Sequence, residues 1–479
     1  MTSQWTYVDV AATRIQHYIS RTPRLKGQRG ASGWLSWATD SGQLCEVLAG
    51  SQRLTGHGAE LNPAAGQADG LVSVQLPAEV DPRPVAEEIT RHLRSVLPAV
   101  ELSAVWGSGP TYLDAYRDHM KGQRQAPPLV SLPPNSDFPP LASCAECRAA
   151  PATATIDIHE AGDLRVCLDC EARYADRYRR PGLEAERPVY REESRLLEAL
   201  GRDPVAGTAQ DFAQLAALGS ADSNRNHLAT VYADGNAIGA FLDRVAVHGD
   251  PELKRHISAA ISGATRDALL AATRKVLDGE PGGRVPVVPH IVGGDDLVVS
   301  IVADRAWQFV IAYLAEFRRR MAAVSGVPPG LLGPVPPTAS AGVVFAHASF
   351  PFRRAMELAA GRMRDAKRQL RGIVPAVAWL DVTRDGEQPP AGRGAWTLDD
   401  LLALADAVQT LRTDIEPSGR ATLGRLIETD RPEVSAARLR EHSRRLERDA
   451  VLAPFLAEGT AAANIARVSG ALSLARWWR

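Results

Sequence analysis

The chain lacks any run of about 18 apolar residues, the length a membrane-spanning helix needs, and Met1–Arg14 has no cationic start leading into a hydrophobic stretch. A membrane span and a secretory signal are therefore not expected, and a cytoplasmic setting follows. Neither sign of charge is in excess. The formal net charge is −1, so no global field draws nucleic acid to the surface, and any RNA contact has to come from local patches or partner subunits. Lysine is scarce among the basic residues, nearly all of which are arginine, so each lysine carries more weight. What remains is ordinary: 45% hydrophobic and 23% charged residues describe a globular protein. At 479 residues the chain is too long for one core, and about three domains are expected.

Cysteine is also scarce, with five residues, yet four of them form a pattern. Cys144-Ala-Glu-Cys147 and Cys167-Leu-Asp-Cys170 are separated by 19 residues, the spacing of a zinc ribbon or treble clef. Between them, Ala154–Ile158 and Leu164–Val166 predict a short hairpin, and Asp169–Tyr178 a helix. Four thiolates close a coordination sphere, so this Zn²⁺ is expected to be structural and to staple a subdomain too small to fold alone. Cys45 falls in a strand-like segment and reads as a buried apolar residue.

At 291–298 the chain reads Ile-Val-Gly-Gly-Asp-Asp-Leu-Val. Strand formers lie on both sides, so Gly293–Asp296 is expected to be a tight turn between strands Val287–Val292 and Leu297–Val302. Asp295 and Asp296 at that tip are accessible to hydrated divalent cations, and Gly293 and Gly294 let a bulky ligand approach the backbone. Pro289 points to an edge strand or bulge. Upstream, His227–Gly239 reads HLATVYADGNAIG, a buried strand ending in Asp234 and turning through Gly235 and Asn236 into a helix. The succession is then strand–Asp–helix, an insertion at Pro251–Leu277, the Gly-Gly-Asp-Asp hairpin, helix Arg305–Ser325, strand Ala339–Ala346, helix Pro351–Leu370 and strand Val377–Leu380. This is a βαββαβ order of the ferredoxin-like kind, which brings both acidic tips to one edge of a sheet.

The N-terminal part repeats that order without paired acids. Strand Trp5–Val10, helix Ala12–Ser20, loop Arg21–Gly30 and helix Ala31–Thr39 are expected, then strands near Leu44–Ala49 and Gly70–Leu76, helix Pro84–Leu97 and strand Val100–Trp106. The fold class is thus α+β: two ferredoxin-like domains that resemble the palms of nucleotide polymerases and cyclases, the second expected to be catalytic, with a four-cysteine module between them and a helical C-terminal domain. The boundaries read 1–121 for the non-catalytic palm and 122–224 for a linker (122–141), the cysteine module and helices near 190–201 and 208–219. The catalytic palm is 225–385, and the helical domain, 386–479, follows a linker at Gly386–Gly394. In that last domain, arginines between Arg438 and Arg448 form either a solvated face or an RNA- or subunit-contacting one. Trp477 and Trp478 are expected to pack in a bundle or on a partner.

This arrangement resembles the large subunit of type III CRISPR effector complexes, the CRISPR polymerase (Cas-ten) family with its Csm-one and Cmr-two branches. The resemblance rests on domain order and on Gly293–Asp296, Asp234–Gly239, Ser340-Ala-Gly342 and Ala366-Lys367. Arg14–Ser20, Leu25-Lys-Gly and Gly30-Ala-Ser32 also resemble the family's opening helix and loop. It implies a nucleotidyltransferase that condenses ATP into cyclic oligoadenylate messengers in antiviral defence, usually when its complex binds target RNA. It further implies Mg²⁺ or Mn²⁺ held by Asp234, Asp295 and Asp296, and triphosphate oxygens on the free N–H groups of the Gly235–Gly239 helix start. Ser340 is then expected at the base and Lys367 at a phosphate. Implied partners are ATP, other effector subunits, guide and target RNA, and self-association through the palms.

Three departures qualify the resemblance. No His-Asp dipeptide or N-terminal nuclease domain occurs, so DNA cleavage is not expected. Asn236 stands where the family often has a second acid; its carbonyl can coordinate but brings no charge. The chain is short for the family. Two other readings therefore stay open beside the CRISPR cyclase: a palm scaffold that binds nucleotide without turnover, and a stand-alone or diguanylate-type cyclase, whose base choice spacing does not reveal.

Overall fold

A computed structural model describes the chain apart from residues 1–4, 67, 125–128, 134–141, 159–161, 181–182, 221–225, 278–282, 329, 334, 391–392, 428–430, 446–447 and 457–458. The expected linker 122–141 lies largely outside the described residues.

Two ferredoxin-like sheets organise the molecule. The first contains β1 (Trp5–Thr13), β2 (Glu60–Leu61), β3 (Leu71–Pro77), β4 (Glu101–Gly109) and β5 (Leu129–Ser131), in the order β2-β3-β1-β4-β5. Val8 and Val10 turn to one face and Tyr7 and Asp9 to the other, the two-residue period of a strand. The segment Leu44–Ala49, expected as a strand, is part of the helix Ser41–Gly50, because Asp40 caps it by accepting from Gly42 N. Cys45 is exposed on that helix, not buried. The expected loop Arg21–Gly30 also gives way to a helix, Leu25–Ala38.

The reason lies in the cysteine module. Its hairpin, β6 (Ala154–Ile158) and β7 (Gly162–Val166), leads into the helix Leu168–Tyr174. That helix crosses Leu25–Ala38 so closely that a Cβ at Gly30 would lie 2.1 Å from Arg173 O. Glycine there is a contact surface and not a helix breaker. Trp34 Nε1 donates to Ala172 O at 2.8 Å across the same crossing. The module's helix stops at Tyr174, short of the expected Tyr178, and Arg177–Arg180 (β8) pairs with Leu183–Glu186 (β9).

The second sheet contains β10 (His227–Asn236), β11 (Val287–Gly293), β12 (Asp296–Val302), β13 (Thr338–His347), β14 (Ala376–Asp381) and β15 (Trp396–Thr397). Its order is β11-β12-β10-β13-β14-β15, antiparallel except between β13 and β14. The register shifts between Pro289 and Ile291, the bulge that proline imposes. On one face, helix Phe352–Gln369 together with Tyr232, Val298 and Val344 shares a core with Val8 and Val10 of the first sheet and Trp34 of helix Leu25–Ala38. On the other face lie helices Pro251–Val276 and Ala306–Ala322 and the C-terminal helices. Trp477 stacks on Phe345 at 5.5 Å, and Trp478 reaches Trp307 at 6.3 Å, so the terminal tryptophans bind the helical region to this sheet. Among the described residues, no helix is long and apolar enough to cross a membrane.

Candidate active site

The edge where β10 and β12 end gathers the acidic residues. Ala233 pairs with Leu297 and Asp234 with Ser340, so Asp234 lies one step beyond the last β10–β12 pair, beside Asp296. Gly293 pairs with Asp296, leaving Gly294 and Asp295 as the two-residue turn. Thr265 of the inserted helix donates to Gly294 O at 2.7 Å and holds that turn in place. The strand does not end at Asp234. It continues through Gly235 and Asn236, paired with Ala339 and Thr338, and only Ala237 separates it from the helix Ile238–His248. Gly239 lies exposed in the first turn of that helix.

Gly235 sits flat under Asp295: a Cβ there would lie 2.6 Å from Asp295 Oδ2 and 2.4 Å from Ile238 Cγ1. Burial, and next the neighbouring Asp234, raise the Asp295 carboxyl to about 6. Burial, then Asp234 and Asp295, raise Asp296 to about 7. The cation facing them is Lys367, whose ammonium is 2.5 Å from Asp234 Oδ2 and 2.7 Å from Gly235 O. Helix Phe352–Gln369 can bring it there because Gly342 lets the helix lie on β13; a Cβ at Gly342 would be 2.0 Å from Ala359 O. Crowded, half-buried carboxylates with one ammonium are a donor set short of positive charge, and hard oxygen ligands of this kind fit Mg²⁺ or Mn²⁺.

Two of the residues expected at the nucleotide lie inside. Ser340 is fully buried and donates to Asn236 Oδ1 at 3.0 Å. Asn236 Nδ2 donates to Thr338 Oγ1 at 2.9 Å and to Val374 O at 3.0 Å. Both thus tie β10, β13 and the approach to β14 together, and Asn236 has its carbonyl already engaged. Gly293 and Gly294 lie exposed at the turn. Sequence reading missed Tyr232, whose hydroxyl donates to Asp296 Oδ1 at 3.4 Å. Its only sequence signal is its place two residues before Asp234, on the same strand face.

A second site is complete. The sulfur atoms of Cys144, Cys147, Cys167 and Cys170 all lie within 4.8 Å of one another, and Cys147 Sγ is 3.7 Å from Cys167 Sγ. Tetrahedral zinc with Zn–S bonds of about 2.3 Å has S···S edges of roughly 3.8 Å, so the four thiols fit a metal ion of that kind. Next to it, Tyr174 donates to Glu146 Oε2 at 2.6 Å, and Glu146 is paired with Arg24. The module is thereby tied to the start of helix Leu25–Ala38.

Comparison with known proteins agrees with this geometry. Residues 227–372 match the family model for the second palm domain of Cas10/Cmr2. No curated protein sequence matches the chain. Among solved structures, the Csm1–Csm4 cassette in complex with cA4 matches with a TM-score of 0.55 at 14% identity, covering 99% of this chain and 70% of that one. The same cassette in complex with one ATP matches with a TM-score of 0.53 at 14% identity, over 99% and 70%. The Csm1–Csm4 subcomplex in the type III-A CRISPR-Csm interference complex gives 0.53 at 15% identity, again over 99% and 70%. At these identities the likeness speaks for the fold. Fold and site together define a protein built on a nucleotide-type palm. Residues 227–372 form a second palm domain of the Cas10/Cmr2 kind, which supports a large subunit of the type III CRISPR type.

Proposed function

We propose that this chain condenses ATP into cyclic oligoadenylate messengers at the Asp234–Asp295–Asp296 edge, as the large subunit of a type III CRISPR effector bound to guide and target RNA. The observation that carries the reading is the set of three carboxylates from β10 and the β11–β12 turn, two of them raised toward neutrality by burial and mutual repulsion. When bound, two ions of Mg²⁺ or Mn²⁺ would lower the pKa of an attacking 3′-hydroxyl and neutralise the departing pyrophosphate. Asp234 and Asp295 or Asp296 would hold those ions. Lys367, paired with Asp234 here, would then be available to a phosphate. The exposed start of helix Ile238–His248, with Gly239, offers unpaired N–H groups to triphosphate oxygens. Gly293 and Gly294 leave room for the nucleotide beside the turn. The four cysteines would hold a structural Zn²⁺.

Support comes from the matched solved structures, whose relatives are bound to ATP and to cA4. The test is incubation of the purified chain with ATP and Mg²⁺ or Mn²⁺, with and without guide and target RNA and neighbouring effector subunits, followed by mass analysis. An oligoadenylate is expected, its mass giving ring or chain and unit number. Competition among the four triphosphates separates this from a guanylate-type cyclase. Activity that needs no RNA or added subunit would instead make it a stand-alone cyclase. One observation favours the scaffold reading: Asn236 brings no charge and is consumed by Ser340, Thr338 and Val374. Nucleotide binding without product, even with RNA and neighbouring subunits present, would decide for the scaffold.

Gly235→Ala probes the same edge by geometry alone. The added methyl pushes Asp295 away, and a misplacement of about 1 Å at such a site costs on the order of 10²-fold in rate. A variant with wild-type turnover would show that Asp295 need not sit where the structure has it.

A further inference from the structure

The first palm lacks paired acids, yet it reaches the acidic edge through one side chain. Gln16, on the short helix Ile15–Ile19, donates from Nε2 to the Tyr232 hydroxyl at 2.8 Å, across 216 residues of sequence. That hydroxyl in turn donates to Asp296 Oδ1 at 3.4 Å. The tyrosine ring is fixed in the core that the two sheets share. A phenol has one proton. Because Gln16 approaches the oxygen as a donor, the proton is left for Asp296, and the direction of both bonds is set from the first palm.

The short helix is itself held. Arg173 Nη2 donates to Tyr18 O at 2.9 Å, and its guanidinium lies 4.3 Å from the Tyr18 ring centroid. Arg173 belongs to the helix that also carries Cys170. A continuous set of contacts thus runs from the cysteine site through Tyr18 and Gln16 to Asp296.

Resting on the metal-site reading above, we propose that Gln16 and Tyr232 are positioning residues that aim Asp296 at the divalent ion, making the acid-free palm part of the site. Groups that orient a metal ligand through a hydrogen bond typically change affinity 10–100-fold when removed. The polarity of the contact also makes a directional prediction. In Gln16→Glu the side chain accepts from Tyr232 and takes the single phenol proton away from Asp296. Gln16→Leu leaves that proton in place and removes only its orientation.

The experiment is titration of the full chain with Mn²⁺ alone, free Mn²⁺ being read by electron paramagnetic resonance. Affinity is expected to fall in the order wild type, Gln16→Leu, then Gln16→Glu and Tyr232→Phe together, the last two by about tenfold. The Gln16→Glu/Tyr232→Phe double variant should be no weaker than Tyr232→Phe. Tyr232→Phe keeps the ring, so its core packing is retained, and a melting curve accompanies each titration. Unchanged Mn²⁺ affinity in Tyr232→Phe, whatever the melting temperature, overturns the proposal and leaves the metal site standing. If Asp234→Ala/Asp296→Ala binds Mn²⁺ like the wild type, the metal reading itself falls and takes the proposal with it.

Discussion

Replacing Asp295 and Asp296 together by alanine is expected to reduce oligoadenylate synthesis by at least about 10³-fold, because the metal clamp on attacking and leaving oxygens supplies several kcal/mol of transition-state stabilisation. The same variant is expected to melt later than wild type in metal-free buffer at pH 8. The sign follows from the raised carboxyls. Asp295 is pushed to about 6 and Asp296 to about 7, against about 3.9 in an unfolded chain. The folded state then binds more protons than the unfolded one between roughly pH 4 and 7, so stability falls as pH rises through that window. Alanine removes the penalty, and its advantage should shrink toward pH 4. Mg²⁺ or Mn²⁺ should stabilise the wild type far more at pH 8 than at pH 5, and the variant at neither. Melting curves in chelator and in metal, across pH, read all of this. A variant that melts earlier than wild type at pH 8 would make the two carboxylates structural.

Loss of the metal from the cysteine site is expected to cost the most stability. A structural zinc is worth about 10–16 kcal/mol in isolated finger peptides at neutral pH, and here the module has little else to fold around. Its apolar cluster is mainly Ile158, Val166, Tyr174 and the cysteines themselves. Cys167→Ser should purify with well under one zinc per chain and melt about 10 °C or more below wild type. Because helix Leu168–Tyr174 lies directly on Leu25–Ala38 at Gly30 and holds Tyr18 through Arg173, the first palm should loosen with it. Hydrogen exchange at residues 15–38 would report that spread. Cys45→Ser, on an exposed helix position, should change neither zinc content nor melting. A wild-type protein without zinc, or a Cys167→Ser variant that melts normally, would overturn the assignment.

Much of this was legible locally. Strand-forming apolar residues on both sides of Gly293–Asp296 point to a hairpin with acids at its tip, and Pro289 marks its bulge. Two Cys-x-x-Cys pairs at matched spacing converge because their hairpin and helix are short and self-contained. Misreadings occurred where a segment's neighbour decided its state. Leu44–Ala49 has strand-forming residues, but Asp40 starts a helix and Glu60–Leu61 takes the edge position beside β3. Gly30 reads as a loop residue until Arg173 is seen against it. Ser340 and Asn236 have the chemistry of ligand contacts, yet they satisfy each other inside the sheet.

The sequence by itself determined the elements of the second palm and their order, the acidic turn and the cysteine site, because each of these depends mainly on residues near one another in the chain. Only the tertiary structure decided which groups act on Asp296: the β10–β12 register that sets Asp234 beside it, the close seat at Gly342 that delivers Lys367, and the reach of Gln16 to Tyr232. The side chains so joined lie far apart in the chain, Lys367 133 residues from Asp234 and Gln16 216 from Tyr232, and no local pattern encodes them. They follow from packing two sheets and a helix against one core, where a single Cβ or a shift of register would separate the groups.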